Sequence, residues 1–323
     1  MAIRKKTILF ICGSLNQTTQ LFQISRHLDD CDCRFTPYYL GDWREFLSST
    51  LLKNTVLGGQ HRERTLGFLR ANGCAIDEQG RRNDYDAVCT CSDLIVQNNI
   101  RSRPIYLVQE GMTDPERIRY RLYKLGLLPR YAVGTAAAGL SNAYRLFFVA
   151  SEGYRELFIR KGAAPEKIRV TGIPNFDDAA KNLDNDFPHR GYVLAVTSNL
   201  RECGEFENRR AFIQRAVQIA DGRPLIFKLH PAENIARATA EVQRWAPKAL
   251  IFSEGNTDHM VANCDAFITR QSSVVYTALA LGKEVYCDLD IDELRRLMPL
   301  QNGGASAAGI AGMVKDDLAA ILN

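Results

Sequence analysis

The feature that most constrains this chain is a rhythm that runs twice. Short apolar, β-branched runs alternate with longer amphipathic segments, stop at a polar stretch, and then begin again. Parallel strands need crossovers of a dozen or more residues, usually helices, so this alternation predicts parallel α/β sheets. In the first half the expected strands are Thr7–Cys12, Arg34–Tyr39, Ala87–Cys91, Leu94–Gln97, Ile105–Gln109 and Leu146–Ala150. The helix after the first strand is expected to start near Thr18 or Thr19 and to run to Leu28, with Leu21, Ile24 and Leu28 on one face. In the second half the expected strands are Tyr192–Thr197, Leu225–Leu229, Leu250–Ser253, Ala266–Thr269 and Glu284–Cys287. The helices between them are Asn208–Ala220, Glu233–Trp245, a short one near Asp258, and Ser273–Leu281.

The polar stretch Asn175–Arg190 follows Pro174, contains Pro188, and suits a linker. The expected domains are therefore residues 1–180 and 190–310, each Rossmann-like. The final helix, Gly312–Leu322 within 311–323, follows a glycine-rich turn and is free to cross back. A chain of 323 residues supports this count, since two halves of roughly 150 residues can each bury a core. No apolar run approaches the roughly 20 residues of a membrane span, and Ile8–Cys12 behind the basic start Met1–Lys6 is too short for a signal-peptide core. The nine cysteines, an odd number, sit mostly in apolar contexts and lack zinc-site spacing. Reduced thiols in the cytoplasm and no metal site are expected. A net charge of +4 is too small to point to nucleic acid.

Polar groups just beyond a parallel strand carry most of the functional weight, because ligands of open α/β sheets sit beyond the strands' carboxyl ends. Glu110 ends Ile105–Gly111 and could act as a general base, or could simply cap a helix or pair with Arg117, Arg119 or Arg121. His230 and Pro231 end Leu225–Leu229, where proline holds the histidine extended and the imidazole could donate to a phosphate. Ser272 and Ser273 precede an apolar helix and offer hydroxyls and amides to the same anion, or serve as an ordinary cap. Thr197, Ser198 and Asn199 occupy a third strand exit, Lys228 a position just before the histidine, and Ser14 the exit of the first strand. There is no G-x-G-x-x-G opening either half, no P-loop and no G-x-S-x-G elbow, which disfavours dinucleotide oxidoreductases, P-loop NTPases and serine hydrolases. The acidic run Asp288–Asp292 is expected to start a helix instead of holding a cation. Arg117–Tyr131 packs five cationic and three aromatic side chains into fifteen residues, a composition for a solvated basic face, an anionic acceptor or lipid headgroups.

These motifs, taken in order, resemble the GT-B transferases of bacterial surface polymers: CDP-glycerol glycerophosphotransferases, capsule Kdo transferases, and bacterial sialyl- and polysialyltransferases. The likeness is carried by Phe148–Glu152, Phe158–Gly162, Pro165–Ile168 and Val170–Asp177, then by Lys228–Pro231 and Ser272–Ser273 with the Ala280–Lys283 that follows. It implies two Rossmann-like domains facing a central cleft, an acceptor domain followed by a nucleotide-donor domain. It also implies metal-independent, inverting transfer of a glycosyl or glycerophosphoryl group, with no cofactor beyond the nucleotide-activated donor. Donors linked to CMP or CDP are preferred over UDP, and the acceptor would be a cell-surface glycan or glycolipid. Carried over, Glu110 is the base and His230 stabilises the leaving phosphate. Lys228, Pro231, Ser272, Ser273, Thr197, Ser198 and Asn199 bind the donor, while Ser14, Arg117 and Arg121 lie on the acceptor side. Gln109 stands where those families carry a first acidic residue, and the Trp-His-Gly of the CDP-glycerol group is missing. A UDP-sugar 2-epimerase and a non-catalytic nucleotide- or carbohydrate-binding module remain as alternatives. The expected place is the cytoplasm, with peripheral contact at the inner face of the membrane left open by the basic segment.

Overall fold

The computed structural model describes residues 4–40, 59–82, 84–202 and 204–322, so Met1–Ile3 of the basic start lie outside the described residues. The chain forms two compact units, Met1–Asp177 with Asn302–Asn323, and Asp178–Gln301.

The first unit is built on β1 (Lys6–Cys12), β2 (Cys31–Pro37), β3 (Ala75–Ile76), β4 (Ala87–Thr90), β5 (Ile105–Val108), β6 (Leu146–Val149) and β7 (Ile168–Val170). Their order is β3-β2-β1-β4-β5-β6-β7, and every pairing is parallel. Ile8, Leu9 and Phe10 of β1 and Val88 of β4 are wholly buried, as strands covered on both faces require. The order reverses between β1 and β4, which makes their carboxyl ends a switch point where ligands of such sheets bind. Leu94–Gln97 is not the expected strand. β4 and β5 pair directly, leaving no place for a strand between them, and the buried Gln97 side chain donates to the Tyr39 carbonyl.

Around this sheet run α1 (Leu15–Ser25), α2 (Gly59–Ala71), α3 (Ile118–Lys124) and α4 (Glu152–Lys161). α1 starts earlier than expected because Ser14 is its N-cap, accepting from the Gln17 amide. Ser151 caps α4 in the same way, and Gly162 at φ 115° ends it in a conformation that favours glycine.

The second unit repeats the plan with β8 (Val193–Val196), β9 (Leu225–Lys228), β10 (Leu250–Phe252), β11 (Ala266–Thr269) and β12 (Glu284–Tyr286) in the order β10-β9-β8-β11-β12, again all parallel. Its helices are α5 (Arg209–Ala220), α6 (Ile235–Trp245), α7 (Thr257–Asn263), α8 (Val275–Ala280) and α9 (Ile291–Leu297). Val193, Phe212, Ile213, Phe227, Val242 and Ile268 form its core. Asp290 caps α9 by accepting from the Asp292 and Glu293 amides.

The chain returns to the first unit at Asn302, earlier than the expected 310/311 boundary, and α10 spans Ser306–Leu322. Asp177 and Thr171 hold this junction, the Thr171 carbonyl accepting from Asn302 Nδ2 and Ser306 Oγ. The Asp177 carbonyl accepts from the Asn302 and Gly303 amides, and its carboxylate accepts from the Ser306 amide at the head of α10. Gly309 lies inside the helix because the buried stripe Ala307, Ile310, Ala311, Val314 and Leu318 fixes the face, and packing outweighs glycine's roughly 1 kcal/mol propensity cost. Among the described residues no helix is long and apolar enough to cross a membrane.

Candidate active site

Glu110 follows β5 directly and reaches back across the switch point to α1. Ser14 Oγ donates to its Oε1 at 2.8 Å and Gln17 Nε2 to its Oε2 at 2.6 Å, while Asn16 Nδ2 donates to its carbonyl at 3.3 Å. Gly13 makes this possible, since a Cβ there would stand 1.8 Å from Gln17 Oε1. Burial raises the Glu110 pKa above the ordinary carboxylate value, opposed by the hydrogen bonds from Gln17 and Ser14. Both donors are neutral, so the anion is oriented without being locked into an ion pair. Glu110 also lines a cavity of about 540 Å³ that lies wholly within the first unit.

Gln109, in contrast, is a brace. Its side chain donates to the Gly111 carbonyl at 2.8 Å and accepts from the Ala150 amide at 2.9 Å, and its own carbonyl takes the Gln20 amide group at 2.7 Å. The motif Gly172–Asp177 is likewise structural: Asn175 donates to Asn16 O and Oδ1, both at 2.7 Å, and accepts from Gln23.

In the second unit three strand exits share one sheet edge. Thr269, Val196 and Lys228 stand in register on β11, β8 and β9, so Gln271, Ser198 and His230 are each two residues further on. With strands roughly 4.8 Å apart, the His230 and Ser272 loops leave the sheet about 10 Å from each other. The His230 amide donates to Thr197 Oγ1 and to Glu233 Oε1, both at 2.9 Å. His230 Nδ1 accepts from the Ala232 amide at 3.1 Å, which keeps the proton of the neutral ring on Nε2 and makes that nitrogen a donor. Thr197 Oγ1 also bonds to Glu233 Oε1, so this hydroxyl belongs to the loop's scaffold. Lys228 Nζ donates to the carbonyls of Leu229 and Ser253, each at 3.0 Å, and burial lowers its pKa. Its ammonium ties two strand exits together. Ser198 Oγ is buried with no hydrogen-bond partner among the described residues. Pro231 is exposed and Asn199 half-buried. Ser272 Oγ accepts weakly from the Val274 amide at 3.4 Å, and α8 begins only at Val275, so both serines precede the helix they were expected to open.

Arg117 and Arg121 lie apart from the cavity that Glu110 lines. Arg121 borders a second cavity of the first unit, about 550 Å³, with Lys124, Arg160 and Lys161. Asp288 pairs with Arg270 and Arg215. Among the described residues no three His, Cys, Asp or Glu side chains gather as metal ligands would.

Solved structures share this two-unit plan along nearly its whole length. S. aureus MnaA in its co-structure with UDP is 11% identical with a TM-score of 0.63, covering 98% of this chain and 97% of that one. The UDP-GlcNAc 2-epimerase from Neisseria meningitidis bound to UDP-GlcNAc is 11% identical with a TM-score of 0.59, covering 97% and 99%. The wall teichoic acid polymerase TagF is 10% identical with a TM-score of 0.56, covering 99% and 91%. The architecture is GT-B. No protein-family model and no curated protein matches the chain.

Sequence reasoning missed the residues that hold the candidates. Gln17 was signalled by the Ser14-x-x-Gln17 spacing of a capping box, but its side chain turns to Glu110 instead of the cap. Glu233 and Arg209 gave no signal: their 2.9 Å pair, with Glu207 on the same guanidinium, is buried under the His230 loop and formed between α5 and the turn before α6.

Proposed function

We propose that this chain is a metal-independent GT-B transferase that uses a nucleotide-activated donor, CMP- or CDP-linked, and inverts the transferred carbon. Glu110 removes the proton of an acceptor hydroxyl. The alkoxide oxygen bonds to the donor carbon as the bond from that carbon to the phosphate oxygen breaks, and the leaving nucleotide keeps the electron pair. His230 Nε2–H, with Ser272 and Ser273, receives the developing phosphate charge without a cation. The observation that carries this reading is the Glu110 carboxylate, positioned by two neutral donors with its pKa raised toward the working range. Ser14 thus acts by orienting the base, and Lys228 and Thr197 by shaping the His230 loop.

A second reading, a UDP-sugar 2-epimerase, is favoured by the likeness to the UDP-GlcNAc 2-epimerase from Neisseria meningitidis, bound to UDP-GlcNAc, and by the UDP in the S. aureus MnaA co-structure. Incubation with CMP-, CDP- and UDP-linked donors separates the two. Turnover only when an acceptor is added supports transfer, and interconversion of a UDP-sugar with no acceptor present overturns it. Tight nucleotide binding with no turnover across a broad acceptor panel leaves a binding module.

Peripheral contact with anionic lipid belongs to the same proposal. Ile118, Leu125, Leu127 and Tyr131 are exposed beside Arg121 and Lys124. Sedimentation with anionic vesicles that is lost at high salt supports the contact, and no sedimentation at low salt removes it.

A further inference from the structure

The cavity beside Glu110 is far more apolar than a sugar alone requires. Leu107 of β5, Phe147 of β6 and Phe158 of α4 lie at its base, all buried, and Leu94, Ile95 and Tyr131 form its walls. The loop that failed to form the expected strand at Leu94–Gln97 therefore supplies one wall. Small residues of the neighbouring segment, Ala132, Gly134 and Ala138, also line it and leave the space open. Gly139 holds Phe147 in place, because a Cβ there would stand 2.5 Å from the ring. About 540 Å³ falls within the roughly 300–1,000 Å³ range of small-molecule sites.

The charged groups of the lining are two. Glu110 and Asp114 are the carboxylates of the lining, and among the described residues no lysine or arginine lines it. Nothing there neutralises a phosphate or carboxylate, so the part of a ligand that enters is not an anion. Tyr131, which lines the cavity, is 52% exposed and belongs to the same segment as exposed Leu127, so the apolar wall continues to the surface.

We propose that this cavity binds the apolar arm of a neutral, hydroxyl-bearing amphiphile, which brings its hydroxyl to Glu110. The assignment of that hydroxyl as the acceptor rests on the transferase reading, whereas the binding itself does not. Alkyl β-glucosides of increasing chain length, kept below their micellar concentrations and titrated without nucleotide, provide the probe. Each added methylene is expected to tighten binding about fourfold until the cavity is full, and glucose is expected to show no measurable binding. Ala138→Phe, which fills the space, is expected to abolish the chain-length dependence with thermal unfolding close to wild type, and Leu94→Glu, which charges the lining, is expected to abolish it with a lowered melting temperature because Leu94 also packs on Val133 and Ala137. Glu110→Gln is expected to keep it. Equal affinity across chain lengths, tighter binding of octyl phosphate or octylammonium than of octyl glucoside, or full binding in both cavity variants would overturn the inference. Chain-length-dependent binding with no transfer to any glucoside would count against the transferase reading and leave the cavity assignment standing.

Discussion

Two glutamates, one in each unit, follow parallel strands and are held in opposite ways. Glu233 in the second unit gives both oxygens to the scaffold: the His230 amide and the Thr197 hydroxyl on one, the buried Arg209 guanidinium on the other. Glu110 in the first unit is held by a serine hydroxyl on one oxygen and a glutamine amide on the other. A carboxylate whose two oxygens are both taken by the scaffold can do little but hold a loop, whereas one oriented by two neutral donors beside an open cavity can still meet a substrate. The difference separates a scaffold group from a reactive one.

The largest effect that would test this contrast is on stability. Glu233→Ala removes one of the two carboxylates on the buried Arg209 and the acceptor of the His230 amide, and should cost the second unit about 2–3 kcal/mol in urea unfolding, while Glu110→Ala should cost less. A Glu233 variant as stable as wild type would remove the distinction. In rate the order reverses: Glu110→Ala and His230→Ala should each lower kcat/KM by about a hundredfold or more in steady-state transfer assays. Full activity in either variant would remove that residue from the chemistry.

Gly13→Ala tests the orientation of the base. The new methyl displaces Gln17 from Glu110, so kcat should fall about tenfold, and the acidic limb of the pH–rate profile should move upward because a hydrogen bond that lowered the pKa is lost. An unchanged profile would mean that Gln17 does not tune the carboxyl. The smallest effect is thermodynamic. A carboxyl whose folded pKa is raised stabilises the fold below its unfolded pKa and loses that contribution as pH rises through the folded value. Glu110→Gln should therefore melt about 2 °C or more above wild type at pH 8, with the gap closing toward pH 4, as calorimetry can show. A gap that widens on acidification would contradict the raised pKa.

Much of the scaffold was legible because it is written in local patterns. β1, β5, β9 and β11 are continuous buried apolar runs, and Glu110 and His230 could be singled out as the polar residues that end them. β3 and β7, at two and three residues, carry too little pattern to be seen. What sequence could not supply was the pairing across distance. Glu110 meets Ser14 and Gln17 more than ninety residues away, and the Arg209–Glu233 pair joins positions whose own neighbours give no hint of burial. The carbonyl partner of Lys228 at Ser253 was hidden for the same reason, since it follows another strand. Arg117 and Arg121 lie near Glu110 in sequence, yet neither lines its cavity.

The junction at Asp177 has a consequence for how the molecule is made. The second unit is an insertion between a long and a short segment of the first, whose late helix, α10, buries Ile310, Val314 and Leu318 and joins β5 and α1's neighbourhood through Tyr106–Asp317 and Lys315–Asp30. As the chain emerges from the ribosome, the inserted unit has all its strands while its host still lacks that covering helix. The part synthesised second can thus finish folding first, and the earliest strand waits longest for its layer to be completed.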